Sequence, residues 1–565
     1  MVARDSTESP APAAGRGLHR GTLLSAAFGV WVVQVTMAIP TVFNGLFQED
    51  LHTTSAQLTW VSAAFLVPVT LLELTFGVLG DLFGRKRLVV YGSLLMGLGL
   101  LIAVLTPGPG TATGVRMTVL LTGQIVCGIG AAAILPSTLA MVTAGSHTPG
   151  DRSRGLTVWS VALATGGFVA PVLGGWLAGF SFGPDANAGW RWGFLVCLAL
   201  SLAVAAVAGT QAQDSSAARG RSLDWPGQVT IAIALFALLL AVIQGPTSGW
   251  AHPLVITGFV LAAAFLAAFV LVERRSPAPL LRLDLFTHRP FAIAAVTTLL
   301  GMFAYLGTGY STSIRLSAIQ GFSPLRTAVA FVLLNGVGLA LFPLIHRALA
   351  SYNPRLVLGL GFGLIAVGDI WLGTVPISSM SLLPLVVPLC LVGCGFAFSV
   401  SSVTAVMVNT VPRELAGMAS GTTNMVRDLG FTLAPTVLGA VALSRAAQSI
   451  TTTVANDASL RAAVDTFYSA PAHAAPALQG ELASAVGAVQ SGPLGANAVP
   501  ATIPGPGGQA IPLNPLKEVA FGALGQAYSV AYFLAAGAAL VAAILALAVL
   551  RGRRGDNLIS QASLR

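Results

Sequence analysis

The sequence predicts an all-α polytopic membrane protein with fourteen transmembrane helices, and three observations carry that prediction. Of 565 residues, 55% are hydrophobic and 9% charged, whereas an ordinary soluble domain carries about 25% charged residues. Apolar runs of about 20 residues, enough to cross a hydrocarbon core of about 30 Å, recur along nearly the whole chain. Basic residues gather in the short connections between the runs. So few charges could not clothe a soluble fold of this length, so the bilayer is the solvent. The net charge of +9 does not mark a nucleic-acid binder, because no basic stripe interleaves with aromatics.

Residues 1–20, rich in Ala, Pro, Ser and Arg, read as a disordered cytoplasmic tail. No small-residue cleavage site follows the first apolar run, which is therefore expected to stay as a helix rather than leave as a signal peptide. The predicted spans are roughly 21–46, 57–80, 87–105, 117–144, 155–180, 191–209, 226–244, 253–272, 291–313, 326–346, 355–375, 381–409, 418–443 and 524–550. With the N-terminus inside, the inner loops and tails hold 21 Lys and Arg and the outer side holds seven, while Arg427 lies within a span. That bias sets the orientation: both termini are expected in the cytoplasm, with the chain in the inner (plasma) membrane. One connection differs. Residues 444–523, rich in Ala, Gly, Pro, Ser and Thr, fall outside, and GANAVPATIPGPGGQAIPLNP (495–515) is expected to be irregular or polyproline-like. Cys127, Cys197, Cys390 and Cys394 all lie in apolar segments and read as small buried hydrophobes. No metal set, phosphate loop or nucleophile–base arrangement is visible, so neither a cofactor nor an enzymatic activity is expected.

The chain also repeats itself. GFVAPVLGG (167–175) in the fifth span returns as GFTLAPTVLGA (430–440) in the thirteenth, each following a polar inner loop. Two six-helix halves place these helices in corresponding positions if spans 7 and 8 are an insert. The expected division is a first bundle at 21–209, an insert at 210–290, a second bundle at 291–551 and a tail at 552–565.

After the second span comes GVLGDLFGRKRL (77–88). Gly77 and Gly84 permit close packing and a tight turn, Asp81 suits a helix N-terminus, and Arg85, Lys86 and Arg87 anchor the inner face. This stretch resembles the signature of the major facilitator superfamily. GGFVAPVLGG (166–175), with Gly166, Ala170, Pro171, Gly174 and Gly175, resembles the superfamily's antiporter motif, with Ala170 in place of one glycine. GWRWGF (189–194), DWPG (224–227), ERRSPAPLLRLDLF (273–286) and NMVRDLG (424–430) are similar to stretches of the fourteen-helix drug:proton antiporters, of the multidrug efflux type. The resemblance covers nearly all of the chain outside 444–523. It implies a major facilitator fold and proton-coupled export of small hydrophobic or amphipathic compounds by alternating access. The implied partners are a small-molecule substrate, protons and membrane lipids, and a monomer is expected. Export of a lipid or cell-envelope precursor, or a transporter-like scaffold or sensor without proton coupling, are the alternatives. Three further positions depart from the pattern: Trp31 stands where these antiporters carry an Asp, Thr36 where they carry an Asn, and Gln124 where they carry an Arg.

An ionisable residue inside the membrane costs at least about 2.5 kcal/mol on insertion scales, so each needs a reason. Glu73 in span 2, Asp369 in span 11 and Asp428 in span 13 are the candidates for proton coupling, with Asp369 near enough to its span's outer end to reach water. Glu73 is expected to pair across the interface with Arg427 when the cytoplasmic side is closed, with Asp428 pointing elsewhere and holding Arg427 in the other state, and with Asp81 set against the start of span 13. Trp31, Gln34, Gln124, Asn335 and Asn424 are candidates to line a cavity, and the 444–523 loop is expected to be dispensable for transport.

Overall fold

The computed structural model describes residues 19–146, 148–183, 186–216, 224–277, 279, 281, 283–408, 416–473, 476–504 and 510–548. Among them, thirteen helices are long and apolar enough to cross a membrane. In chain order the helices are α1 (Arg20–Ala38), α2 (Asn44–Leu51), α3 (Ser55–Phe83), α4 (Arg85–Val104), α5 (Thr113–Ala144), α6 (Pro149–Leu177), α7 (Trp190–Gln211), α8 (Trp225–Ser248) and α9 (Pro253–Arg275). They continue as α10 (Arg289–Ser313), which ends in a π-helical turn at Ile314–Ile319, then α11 (Pro324–Ala340), α12 (Phe342–Ser351), α13 (Pro354–Thr374), α14 (Leu383–Val408) and α15 (Ala416–Asn456). The tenth predicted span is not one rod. It breaks at Leu341 between α11 and α12, where Pro343 lacks the N–H that a continuous helix needs.

Local sequence explains where the helices begin and turn. Thr54 and Gln57 form a reciprocal capping box at the start of α3, at 3.2 and 2.9 Å. Between α3 and α4 the chain reverses at Gly84, whose φ of +103° favours a residue without Cβ. We call the end of the molecule that carries Gly84–Arg87 the basic face. Small residues let α4 and α5 touch backbone to backbone: a methyl on Gly92 would lie 2.9 Å from the Gly130 carbonyl, the close approach that drives association where lipid offers no hydrophobic gain.

α1 and α3–α7 pack on one another, as do α10–α15 with a final helix, α19 (Lys517–Ala548). The two groups meet along α6 against α11 and α3 against α15, and α8, paired with α9, lies over α3 and α15.

The expected irregular loop at 444–523 is corrected. α15 runs on to Asn456, and α16 (Ala458–His473), α17 (Pro476–Gln490), α18 (Pro493–Ala498) and a hairpin of β1 (Thr502–Pro504) with β2 (Ala510–Pro512) follow before α19 begins at Lys517. These elements enclose a small apolar core that includes Val464, Phe467, Val486, Val489 and Val499. Overall composition hid a local pattern: Leu460, Val464 and Phe467 sit at helical spacing. Asp457 caps α16, accepting from Ser459 and Leu460 N–H at 2.9 and 3.0 Å and from the Ser459 hydroxyl at 2.6 Å. Those bonds, led by the Ser459 hydroxyl, hold its carboxyl below the ordinary aspartate range.

At the face opposite the basic one, this cap joins both groups of helices. Gln48 Nε2 donates to Leu494 O at 2.6 Å, and Asn497 Nδ2 donates to Ala318 and Ile319 O, each at 3.1 Å. Beside it, Asn44 Nδ2 donates to Ser313 Oγ at 2.7 Å, and Ser313 Oγ donates to Thr41 O.

A buried ion pair fixes the same end of the first group. Arg116 Nη2 meets Asp50 Oδ1 at 2.5 Å, and Trp190 Nε1 donates to Asp50 Oδ2 at 2.7 Å. Removing one partner of such a pair leaves an uncompensated buried charge, at a cost of about 3–5 kcal/mol. Arg116→Ala is therefore expected to lower the melting temperature in detergent sharply. An unchanged melting curve would contradict the pairing.

Candidate transport pathway and carboxyl cluster

α3 and α15 are stitched near mid-length by hydroxyls. Thr70 Oγ1 lies 2.7 Å from Thr432 Oγ1 and 3.1 Å from Asp428 O. One turn toward the basic face sits the charged cluster. Glu73 and Asp428 are buried, at 4% and 6% exposure. Their carboxyl groups lie within hydrogen-bonding reach of each other, with the Arg427 cation near enough to act on Glu73. Arg427 donates from Nε to Asp428 Oδ1 at 2.7 Å and from Nη1 to Asn424 Oδ1 at 3.2 Å. The direct Glu73–Arg427 ion pair expected when the cytoplasmic side is closed is not formed in this structure; Arg427 is held by Asp428, as expected for the other state, although Asp428 does not point away from Glu73. Adjacent positions on a helix diverge, but arginine is long enough to fold back onto its neighbour, which leaves Asp428 between Arg427 and Glu73. Glu73 Oε2 and Asp428 Oδ2 have no hydrogen-bond partner among the described residues. A buried polar atom left so costs about 1–3 kcal/mol.

Asp369 is corrected as well. It does not reach water: it is fully buried, accepts from Thr308 Oγ1 at 2.6 Å and keeps Oδ2 unpartnered among the described residues. Its span packs between α14 and α19, which cover the end that sequence left open.

At the basic face, Asp81 receives Arg85 at 2.7 Å, and Arg85 Nη1 also donates to Ala140 O at 3.3 Å. Asp214, just past α7, accepts from the Lys86 N–H at 3.3 Å and lies 3.8 Å from Arg87. A methyl on Gly84 would fall 2.7 Å from Asp214 Oδ2, so this glycine serves close approach as well as the turn. Gly77 lies against Pro136 of α5. Residues 409–415, which lead into α15 and would complete the seat foreseen for Asp81 at the start of span 13, lie outside the described residues.

The glycines of α6 serve two neighbours. Gly166 presses on α1 and Gly174 on the turn just after it, where a methyl would lie 2.8 Å from Trp31 O and 2.7 Å from Ile39 Cγ1. Gly175 presses on α11, 2.9 Å from Leu325 Cα by the same construction. Ala170 is fully buried, and Pro171 sits within the helix. Between these contacts Gln34 and Asn335 approach one point from opposite sides: a methyl on Gly167 would lie 3.4 Å from Gln34 Nε2 and 3.7 Å from Asn335 Oδ1. Tyr305 OH donates to Asn335 Oδ1 at 2.8 Å, and its ring stacks on Phe396 at 3.5 Å. Trp31, half-buried, stacks on Phe28 at 6.2 Å. The structure therefore groups Trp31, Gln34 and Asn335 around α6, and sets Asn424 apart on the charged cluster. Gln124 is separate from both. It is buried at 2%, and its amide nitrogen has no partner among the described residues.

Two residues escaped the sequence reading. Asp50 was passed over because it lies in a connection, and Gln228 because a single amide in an apolar span carries little signal. DWPGQ (224–228) offered a hint, as it sets a polar side chain one turn inside a capped helix start.

Residues 24–435 match the family model described as the Major Facilitator Superfamily. The chain belongs to that superfamily. Among curated major facilitator proteins it is 29% identical over 420 residues to the multidrug resistance protein Stp of Mycobacterium tuberculosis, covering 74% of this chain and 75% of that one. It is 28% identical over 439 residues to the tetracenomycin C resistance and export protein of Streptomyces glaucescens, covering 77% and 78%. Among solved structures, a bacterial homologue of the human lysosomal transporter Spinster is similar with a TM-score of 0.61 at 14% identity, over 93% of this chain and 96% of that one. A D-xylose–proton symporter is similar with a TM-score of 0.54 at 13% identity, over 74% and 90%. At such identities the structural likeness bears on the fold alone.

Proposed function

We propose that this major facilitator protein exports small hydrophobic or amphipathic compounds by alternating access, coupled to protons through the Glu73–Asp428 carboxyl pair. The observation that carries the reading is that pair itself: two buried carboxyl groups within hydrogen-bonding reach, on helices of opposite halves, each with an unpartnered oxygen. Two neighbouring carboxyl groups on the seam give it a place to hold a transported proton. Gain or loss of that proton changes the charge balance with Arg427 and can bias which side of the seam opens. Uncharged groups around α6 (Trp31, Gln34, Asn335 and Tyr305) suit a largely apolar cargo. The drug-resistance and export activities named for the relatives point the same way. The excess of Lys and Arg in the loops at the basic face supports that face, and both termini, being cytoplasmic. A monomer embedded in lipid suffices for this mechanism.

The test is substrate-dependent proton movement in reconstituted vesicles, with an amphipathic dye as cargo. Dye export that moves protons in the opposite direction supports the reading. Dye transport that is indifferent to an imposed proton gradient refutes the coupling.

A further inference from the structure

α8 belongs to the helix pair inserted between the two halves, and it is clamped to α3 at one place by a buried amide. Gln228 Nε2 donates to the Leu71 carbonyl, and Gln228 Oε1 accepts from the Thr75 hydroxyl. Gln228 is 4% exposed and Thr75 5%. The two bonds fall two residues before and two residues after Glu73 in sequence. A side chain that both donates to and accepts from one helix fixes that helix in rotation and in height, which apolar packing alone does only loosely. The segment has need of it. Pro68, inside α3, removes the donor that the Ala64 carbonyl would otherwise have, so the helix is weakened about one turn ahead of the clamp.

The rest of the pair supports the same point. Between α3, α8 and α15 lies a small gap lined by leucines of all three helices together with Val67, Thr70 and Thr432. At its other end, α8 is followed by Trp250, whose Nε1 donates to Ser444 Oγ of α15 at 3.3 Å. The pair is thus tied to both helices that carry the carboxyl groups.

We infer that Gln228 is a positioning residue for proton coupling: the inserted pair uses its amide to hold Glu73 at its distance from Asp428. This rests on the reading of Glu73 as the coupling carboxyl. The charged groups facing Glu73 are Asp428 and Arg427 of α15. α5 presents Pro136 and Ser137 to α3 in this region, and Arg85 of α4 is taken by Asp81 about two turns away. The inserted pair's own carboxylates gather at the start of α8, where Asp224 accepts from Gly227 N–H at 2.9 Å and Glu273 from Leu281 N–H at 3.1 Å. Gln228 itself is neutral. Replacing it removes no charge, so any change in the pH dependence of transport must come through position.

The experiment uses full-length protein in vesicles with the same dye, recording coupled proton flux across a pH series and dye counterflow as a separate readout of folding and binding. Gln228→Leu is expected to move the midpoint of the coupled pH profile by about one unit, the size of shift that a modest change in neighbouring charge distance produces, while counterflow persists. Thr75→Val, which is isosteric and breaks one of the two clamp bonds, is expected to move it in the same direction by less. An unmoved profile in Gln228→Leu overturns the inference. Should that variant fail to insert, an unmoved profile in Thr75→Val overturns it instead. If Glu73→Gln leaves coupling intact, the underlying reading falls and takes this inference with it; a flat result for the clamp beside a dead Glu73→Gln removes the clamp alone.

Discussion

A disulfide between cysteines placed at positions 44 and 313 is expected to stop transport, and a reductant to restore it. Asn44 and Ser313 belong to opposite halves and already share a 2.7 Å hydrogen bond at the face away from the basic motif. Alternating access requires that face to part once in each cycle, and a covalent bond there costs far more to break than the hydrogen bonds it replaces. The expected loss is at least about tenfold in dye transport, equivalent to about 1.4 kcal/mol or more on the barrier. The cap at α16–α18 adds to the same seal, because Gln48 and Asn497 tie α18 to both halves. Gln48→Ala with Asn497→Ala should weaken the seal and raise labelling of a cysteine at position 44 by a membrane-impermeant thiol reagent. Full transport in the oxidised 44–313 pair would mean that this seam does not open during the cycle. Unchanged labelling would mean that the cap is no part of the seal, and would return 444–523 to the role of a dispensable insertion.

Glu73→Gln should bring coupled proton flux down to that of protein-free vesicles, a fall of at least about tenfold, while dye counterflow continues. Glutamine keeps the size and the hydrogen bonding of the side chain but cannot give up or take a proton to do the work. Its neighbour should behave differently. Asp428 holds the part-buried Arg427 at 2.7 Å, so Asp428→Asn gives up a charge-assisted hydrogen bond, and the cost of about 1.5–3 kcal/mol falls on folding. The contrast separates coupling from structure. Glu73→Gln should insert and melt as the parent does, since it removes one of two crowded carboxyl groups, whereas Asp428→Asn should insert poorly. Glu73→Gln protein that still moves protons with dye would take the coupling role from this carboxyl, leaving Asp369 as the next buried candidate.

Which parts of this could be read from the chain follows from the range over which each force acts. The membrane-spanning helices were legible because each must satisfy its own backbone hydrogen bonds within one continuous apolar run, and that requirement is written locally. The reversal at Gly84 was legible for the same reason, since one residue sets its φ. The folded cap was not. Its composition suggested disorder, and its small core forms only when Val464, Phe467, Val486 and Val499, from separate helices, come together.

The candidate site divides in the same way. Sequence by itself singled out Glu73, Arg427, Asp428 and Asp369, because any ionisable group within an apolar run is costly wherever it ends up. Only the tertiary structure decided their partners. Arg427 turned to its own neighbour, Glu73 met a carboxyl instead of a cation, and Asp369 was enclosed between helices rather than left at the rim. Gln228 gained a role that nothing near it in sequence announces, because its partners Leu71 and Thr75 lie about 150 residues away. Burial is a property of the run and can be counted along the chain. Pairing depends on the rotation and height of two helices, which packing alone sets.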